Sequence, residues 1–300
     1  MKKLKPRAGV SPVVATIILI AIFVAVVSAA LGFTQTELTS YYAQSDLNQA
    51  QSFASNLAQA INSVAFTFGR SLSIGYGYKY ATVAYIPNVL TYTIKVTAAS
   101  SIYTFQIYTG ILLIAISAHF YSLGQNYEQT LYPQSYTRLA SLGGAGSYSL
   151  AYSKEYFTSG QAYIYTVIVP IPLAINNTVS LQTGSTKTTQ YVTKIYLAQL
   201  VPGSQQEQPP QSCTQTTQPK IGVVTYNLTT GYISAQGAGY VSCTVANVES
   251  ITISVSSASQ LYQSSFFIFP STQETINPPS SQNGQWQLQL YVGPVELGGA

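Results

Sequence analysis

An uninterrupted apolar segment begins at Val10 and ends at Phe33, and it reads VSPVVATIILIAIFVAVVSAALGF. It carries no charge, and as an α-helix its 24 residues measure ~36 Å, against about 30 Å for the hydrocarbon layer of a bilayer. The segment can therefore span a membrane. The N-terminus is predicted to stay in the cytoplasm and the rest of the chain to lie outside, because basic residues precede the segment: Lys2, Lys3, Lys5 and Arg7.

An ordinary secretory signal does not fit this N-terminus. The apolar run is longer than the usual signal-peptide core, and the small residues Ala8 and Gly9 precede it instead of following it. A basic leader, a small residue and then Val10-Ser-Pro-Val13 at the start of a long apolar helix resemble the N-terminus of archaeal type IV pilins and pilin-like proteins. The resemblance covers about residues 1–35.

In that family, a membrane-bound prepilin peptidase removes a class III signal peptide on the cytoplasmic side of the helix. The resemblance implies a cut between Gly9 and Val10, although a cut between Ala8 and Gly9 also fits. The helix then stays on the mature subunit and packs into the core of a filament. Bacterial type IV pilins have Glu at the fifth mature position, where this chain has Val14, and this difference favours the archaeal kind. A plain membrane anchor on an unrelated surface protein is the alternative.

The polar sequence after Phe33 keeps a helical period. Apolar residues recur at spacings of three and four, and Gly69 is a natural stop; they are Ala50, Phe53, Leu57, Ile61, Val64 and Phe68. This pattern predicts one long helix over 12–68, with a bend or a break at Gly32 as the alternative.

The remainder alternates as β-strands do. Apolar and polar residues alternate over 90–97, 251–256 and 286–292, and residues 163–169 and 192–197 are rich in β-branched and aromatic side chains. The predicted fold class is α+β: a long N-terminal hydrophobic helix followed by an all-β, sandwich-like head. Residues 102–124 are interpreted as a buried central strand, with a second membrane span as the alternative. His119, where the apolar part of this run ends, is predicted to be a strand-end or core residue.

The domain organisation follows from these elements. With the resemblance, they predict a leader over residues 1–9, a helix over 10–69, with 10–33 as its membrane-spanning or filament-core part, and an extracellular β-rich head over 70–300. The polar, Pro-rich stretch 203–220 is a candidate boundary between β units 71–202 and 221–300.

Composition excludes several functions. Charged residues make up 7% of the chain, against about 25% in a typical soluble domain, and beyond the leader basic and acidic residues balance. A basic surface for nucleic acid is therefore absent. With one His and one Asp, and with no recognised metal or nucleotide motif, the sequence predicts no catalytic residue, no metal, no cofactor and no enzyme activity.

Two cysteines and two sequons suit an extracellular head. Cys213 and Cys243 are predicted to form a disulfide outside the membrane, with two free thiols as the alternative. Asn176 and Asn227 begin Asn-x-Thr sequences near predicted turns or strand ends, and they are candidate N-glycosylation sites.

These features predict a structural subunit of an archaeal type IV pilus-like filament. The precursor would lie in the cytoplasmic membrane, and the mature chain would join a helical homopolymer on the cell surface, with adhesion by its charge-poor heads. Its partners would be further copies of itself, the prepilin peptidase, the assembly machinery and, before assembly, the membrane. One alternative is a membrane-anchored cell-surface ligand-binding protein with a pilin-like leader, which a deep pocket would favour. Another is an anchored surface enzyme, which would need two carboxylates across a cleft.

Overall fold

A computed structural model of the chain shows one long helix and two β-sheets among the residues that it describes. The residues that the structure describes are 12–99, 101–124, 126–143, 146–158, 160–183, 186–202, 230–237, 240–257, 264–277 and 285–298. The helix is α1 (Pro12–Val64), and a 3-10 turn covers Ser264–Phe266. The strands are β1 (Ser71–Gly77), β2 (Ala81–Ala98), β3 (Ser101–Ser117), β4 (Glu128–Tyr132), β5 (Ser141–Leu142), β6 (Ser149–Thr158), β7 (Gln161–Pro170), β8 (Leu173–Thr183), β9 (Thr186–Pro202), β10 (Thr230–Gly237), β11 (Val241–Val245), β12 (Val248–Ser257), β13 (Gln273–Ile276) and β14 (Gln285–Gly298).

The strands form two seven-stranded sheets. One has the order β1-β10-β14-β9-β8-β5, with β11 also paired to β14, and the other has the order β13-β12-β2-β3-β7-β6-β4. Most neighbours are antiparallel, but β14 runs parallel to β9 from Gln285↔Gln190 to Leu297↔Pro202. Strands from both sides of residues 203–220 therefore share one sheet. The predicted α+β class, with a long helix and a β head, is confirmed.

The helix is continuous through Gly32, and its second half is buried in the head. Five of the six predicted stripe residues are buried there: Ala50, Phe53, Leu57, Ile61 and Val64. The prediction was wrong for Phe68, which is 86% exposed. The helix ends at Val64, and Phe66 takes a positive φ of 65°, so the chain turns away before it reaches Gly69.

Two apolar cores meet at β3, which lies between β2 and β7. Its residues Leu112, Ile114 and Ile116 pack in the cluster that includes α1, whereas Ile111 and Leu113 pack in the cluster between the sheets. Both faces of the strand are thus covered, which explains why residues 111–116 are apolar without alternation. The predicted central strand is confirmed, and the alternative of a second membrane span was wrong.

Candidate functional site

The first half of α1 projects from the head, and its apolar side chains are exposed. Residues 12–38 are all exposed, and they include the long apolar side chains between Val13 and Phe33. The helix is long and apolar enough to cross a membrane. Threonine hydroxyls in this half of α1 are hydrogen-bonded to the helix backbone: Thr34 donates to the Ala30 carbonyl at 2.8 Å and Thr36 to the Gly32 carbonyl at 3.1 Å. Among the described residues, 13 of the 24 exposed large hydrophobic side chains lie between Val13 and Phe33.

A buried carboxylate fixes the helix at the point where it enters the head. Asp46 is 5% exposed, and its Oδ2 accepts hydrogen bonds from three consecutive backbone N–H groups. The donors are Lys79 at 2.8 Å and Tyr80 at 2.6 Å, in the turn between β1 and β2, and Ala81 at 3.1 Å, the first residue of β2. Backbone amides aimed at one oxygen stabilise its charge without a basic side chain. We call this arrangement the Asp46 clasp.

Polar contacts near the other end of α1 hold the helix against β4 and β6. Asn62 donates through Nδ2 to the Tyr132 hydroxyl at 2.7 Å and to Ser147 Oγ at 2.9 Å, and its Oδ1 accepts from the Tyr148 N–H at 3.0 Å. The Ser149 hydroxyl donates to the Ala58 carbonyl at 2.8 Å. Together with the apolar stripe, these bonds hold the docked half of α1 against the head at several points along its length.

Aromatic rings line a cavity of about 370 Å³ between α1 and the edge strand β1. Phe53 meets Tyr76 edge-on, with ring centroids 5.4 Å apart, and Tyr76 stacks on Tyr78 at 5.3 Å. Burial raises the pKa of Tyr78 well above its ordinary value, and the nearby Tyr76 and Asp46 raise it further. The Tyr78 hydroxyl therefore stays neutral at physiological pH.

The head also contains a cavity of about 740 Å³ beside β6 and the loop after β3. Its charged side chains already have partners. Lys154 Nζ lies 3.0 Å from Glu128 and donates to the Ser265 carbonyl at 2.9 Å, while Glu155 accepts from the Leu123 N–H at 2.7 Å. Within the described ranges, no three His, Cys, Asp or Glu side chains cluster as metal ligands would.

Most of the residues singled out from the sequence lie outside the described part of the chain. Gly9, Val10, Cys213 and Asn227 fall there, so processing after Gly9 and glycosylation at Asn227 stay predictions. Cys243 is buried on β11 opposite Leu290, and its disulfide with Cys213 also stays a prediction.

Two further residues from the sequence are placed by the structure. Asn176 is exposed within β8, not at a turn, and its Oδ1 accepts a hydrogen bond from Thr193 of β9 at 2.8 Å. His119 is exposed in the turn after β3, against Phe120, as expected of a strand-end residue.

Comparisons of the chain with models of protein families, with curated proteins and with solved structures find no match. The function is therefore inferred from the first 35 residues and from the geometry of α1.

Proposed function

We propose that this chain is a pilin-like structural subunit that assembles into an archaeal type IV pilus-like surface filament through the apolar half of α1. The observation that carries the proposal is the contrast within one helix. Residues 43–64 are docked in the head, whereas residues 12–38 extend from it with no apolar side chain covered. An exposed apolar surface of this extent needs lipid or other protein around it.

The apolar segment suits both the membrane and the core of a filament. It has no charge between Val10 and Phe33, which a membrane span requires and which the dry core of a filament requires as well. Its apolar residues lie all round the helix, so neighbours can cover every side. Identical contacts between copies that do not close into a ring extend into a helical filament.

The docked half of α1 gives the filament its outer surface. The apolar stripe, the Asp46 clasp and the Asn62 contacts hold the helix and the head in one orientation. If the helices pack in a regular lattice, the heads then repeat at fixed positions around it. These charge-poor heads would form the coat and make the contacts with surfaces or other cells that adhesion needs.

Electron microscopy of sheared surface filaments, with mass spectrometry of their subunits, tests the proposal. We expect filaments made of this chain with Val10 as the N-terminal residue. A mature chain that starts after residue 30 would contradict the proposal, because the assembly helix would have been removed with an ordinary signal peptide.

A membrane-anchored ligand-binding protein is the second candidate, and the 740 Å³ cavity is the observation in its favour. Lys154 and Glu155 in the cavity wall are already hydrogen-bonded within the head, so a ligand would have to rely on the neutral groups beside them. This candidate takes first place if the chain reaches the surface, no filament forms and bulky apolar substitutions throughout residues 13–30 are harmless.

A further inference from the structure

The cavity of about 370 Å³ between the docked half of α1 and the edge strand β1 has the properties of a small-molecule site. It shares no lining residue with the 740 Å³ cavity beside β6. Small-molecule sites in proteins commonly have volumes of about 300–1,000 Å³, so this cavity is large enough for one. It opens to solvent, because exposed side chains of α1 form part of its wall: Asn48, Gln49, Ser52 and Asn56.

The helical wall of the cavity is polar because of a second periodicity in α1. Polar residues recur at spacings of three and four and so share one face, beside the apolar stripe; they are Ser45, Asn48, Gln49, Ser52 and Asn56. Their amides and hydroxyls can both donate and accept hydrogen bonds. None of these five side chains is hydrogen-bonded to another residue that the structure describes, so all of them are available to a bound molecule.

The opposite wall is aromatic and contains a buried hydroxyl without a partner. Tyr76 stacks on Tyr78, and Tyr78 is 4% exposed. Its hydroxyl makes no hydrogen bond within the described part of the chain, whereas the buried Tyr92 donates to the Pro170 carbonyl at 2.7 Å. Most buried polar groups are hydrogen-bonded, because burial without a partner costs free energy. Since Tyr78 lines the cavity, a molecule bound there can supply the missing partner.

The wall of the cavity limits the chemical class of the ligand. The described residues that line it carry no charge, so a phosphate or carboxylate would lose its hydration without gaining a basic partner, and an amine would gain no carboxylate. A neutral sugar ring fits this wall better. Its hydroxyls both donate and accept, as the amides and hydroxyls of the cavity do, and its apolar C–H faces can pack on aromatic rings.

We propose that this cavity binds a neutral sugar ring, with the Tyr78 hydroxyl and the polar face of α1 hydrogen-bonded to the sugar hydroxyls. The inference goes beyond the proposed function and does not depend on it, because the docked half of α1 and β1 form the cavity whether the first half of the helix lies in lipid or in a filament. A free sugar and the terminal residue of a glycan present the same ring, and the choice of probes separates these two sources.

Saturation-transfer NMR of the full-length chain, in a detergent without a sugar headgroup, tests the inference. The neutral probes are glucose, galactose, mannose and N-acetylglucosamine, each as the free sugar and as its methyl glycoside, and the charged probes are glucuronate and glucosamine. We expect transfer to at least one neutral probe and weaker transfer to the charged ones. Binding of the methyl glycoside indicates a glycan end, and binding of the free sugar alone indicates a soluble sugar. No transfer to any neutral probe, or stronger transfer to a charged one, would overturn the inference.

The Tyr78→Phe variant tests the role of the hydroxyl, because it keeps the ring and removes only the group that lacks a partner. We expect the Kd for the bound probe to rise about three- to tenfold, which corresponds to one hydrogen bond, and the unfolding temperature not to fall. Tyr92→Phe is the matched control: it removes a hydroxyl bonded to Pro170, so it should lower the unfolding temperature and leave the Kd unchanged. If Tyr78→Phe lowers the unfolding temperature as Tyr92→Phe does and leaves the Kd unchanged, the hydroxyl serves the fold and the inference is wrong.

Substitutions elsewhere distinguish this cavity from other surfaces. Asn48→Ala should raise the Kd, whereas Gln44→Ala, at an exposed amide of α1 outside the cavity, should not. Both variants should fold, because alanine is a better helix former than either amide. Phe157→Ala probes the 740 Å³ cavity. If Phe157→Ala abolishes binding while Tyr78→Phe and Asn48→Ala bind normally, the sugar occupies that other cavity and the inference is overturned.

Discussion

Replacing Asp46 with Ala should loosen the junction between the helix and the head. The substitution removes the oxygen that accepts three N–H bonds of 2.6–3.1 Å and leaves those amides without it. A hydrogen bond to a charged group contributes about 1.5–3 kcal/mol, but the three bonds share one oxygen and are not additive. We therefore expect the free energy of unfolding to fall by about 3–4 kcal/mol. Asp46→Asn keeps an acceptor without the charge and should cost about 1–2 kcal/mol.

Denaturant unfolding of the full chain in detergent measures these losses, with hydrogen exchange at Lys79, Tyr80 and Ala81 as a local readout. Glu37→Ala is the matched control, because Glu37 is an exposed carboxylate on the same helix and should change stability by less than about 0.5 kcal/mol. If Asp46→Ala behaves like Glu37→Ala and the three amides exchange no faster, the clasp does not anchor the helix.

Three further predictions address processing, assembly and packing. Gly9→Leu should block cleavage and filament formation but not membrane insertion; N-terminal peptides that still begin at Val10 would contradict this. Ala25→Leu keeps α1 apolar, so it should insert and be processed, yet its added bulk should reduce the filament yield seen by electron microscopy; a normal yield would show that this position is no close contact. Gly237→Ala should lower stability by about 1–3 kcal/mol in thermal unfolding, since its Cβ would meet the backbone carbonyls of Val64 and Thr67, whereas Gly32→Ala, with open space around it, should not destabilise; equal effects would refute the packing argument.

Much of the fold could be predicted because its main signals are local in sequence. Leu90, Tyr92, Ile94 and Val96 alternate with polar residues, and all four are buried on one face of β2. The run 111–116 was also interpretable, since six apolar residues in a row suit a strand with both faces covered. Such patterns can be predicted because the spacing of apolar residues along one element shows which of its faces packs against the core.

The junction could not be predicted, because its contacts join segments far apart in the chain. Asp46 binds backbone N–H groups more than thirty residues away, and any non-proline residue can supply such a donor. The error at Phe68 has the same origin: the helical spacing continues past Val64, but the positive φ of Phe66 ends the helix.

The position of this junction explains how one helix can serve two roles. Before it, α1 is apolar on every side and needs apolar surroundings on every side. After Ala43, a single stripe is apolar, and the head covers that stripe completely. The polar residues between Phe33 and Tyr41 separate the fully apolar part of α1 from the docked part by about two turns of helix. Under the proposed function, changes in the first half act on insertion and assembly, while changes in the second half act on the stability and orientation of the head. Because the helix is continuous through Gly32, the packing of the first half in a filament would then determine where the head is placed.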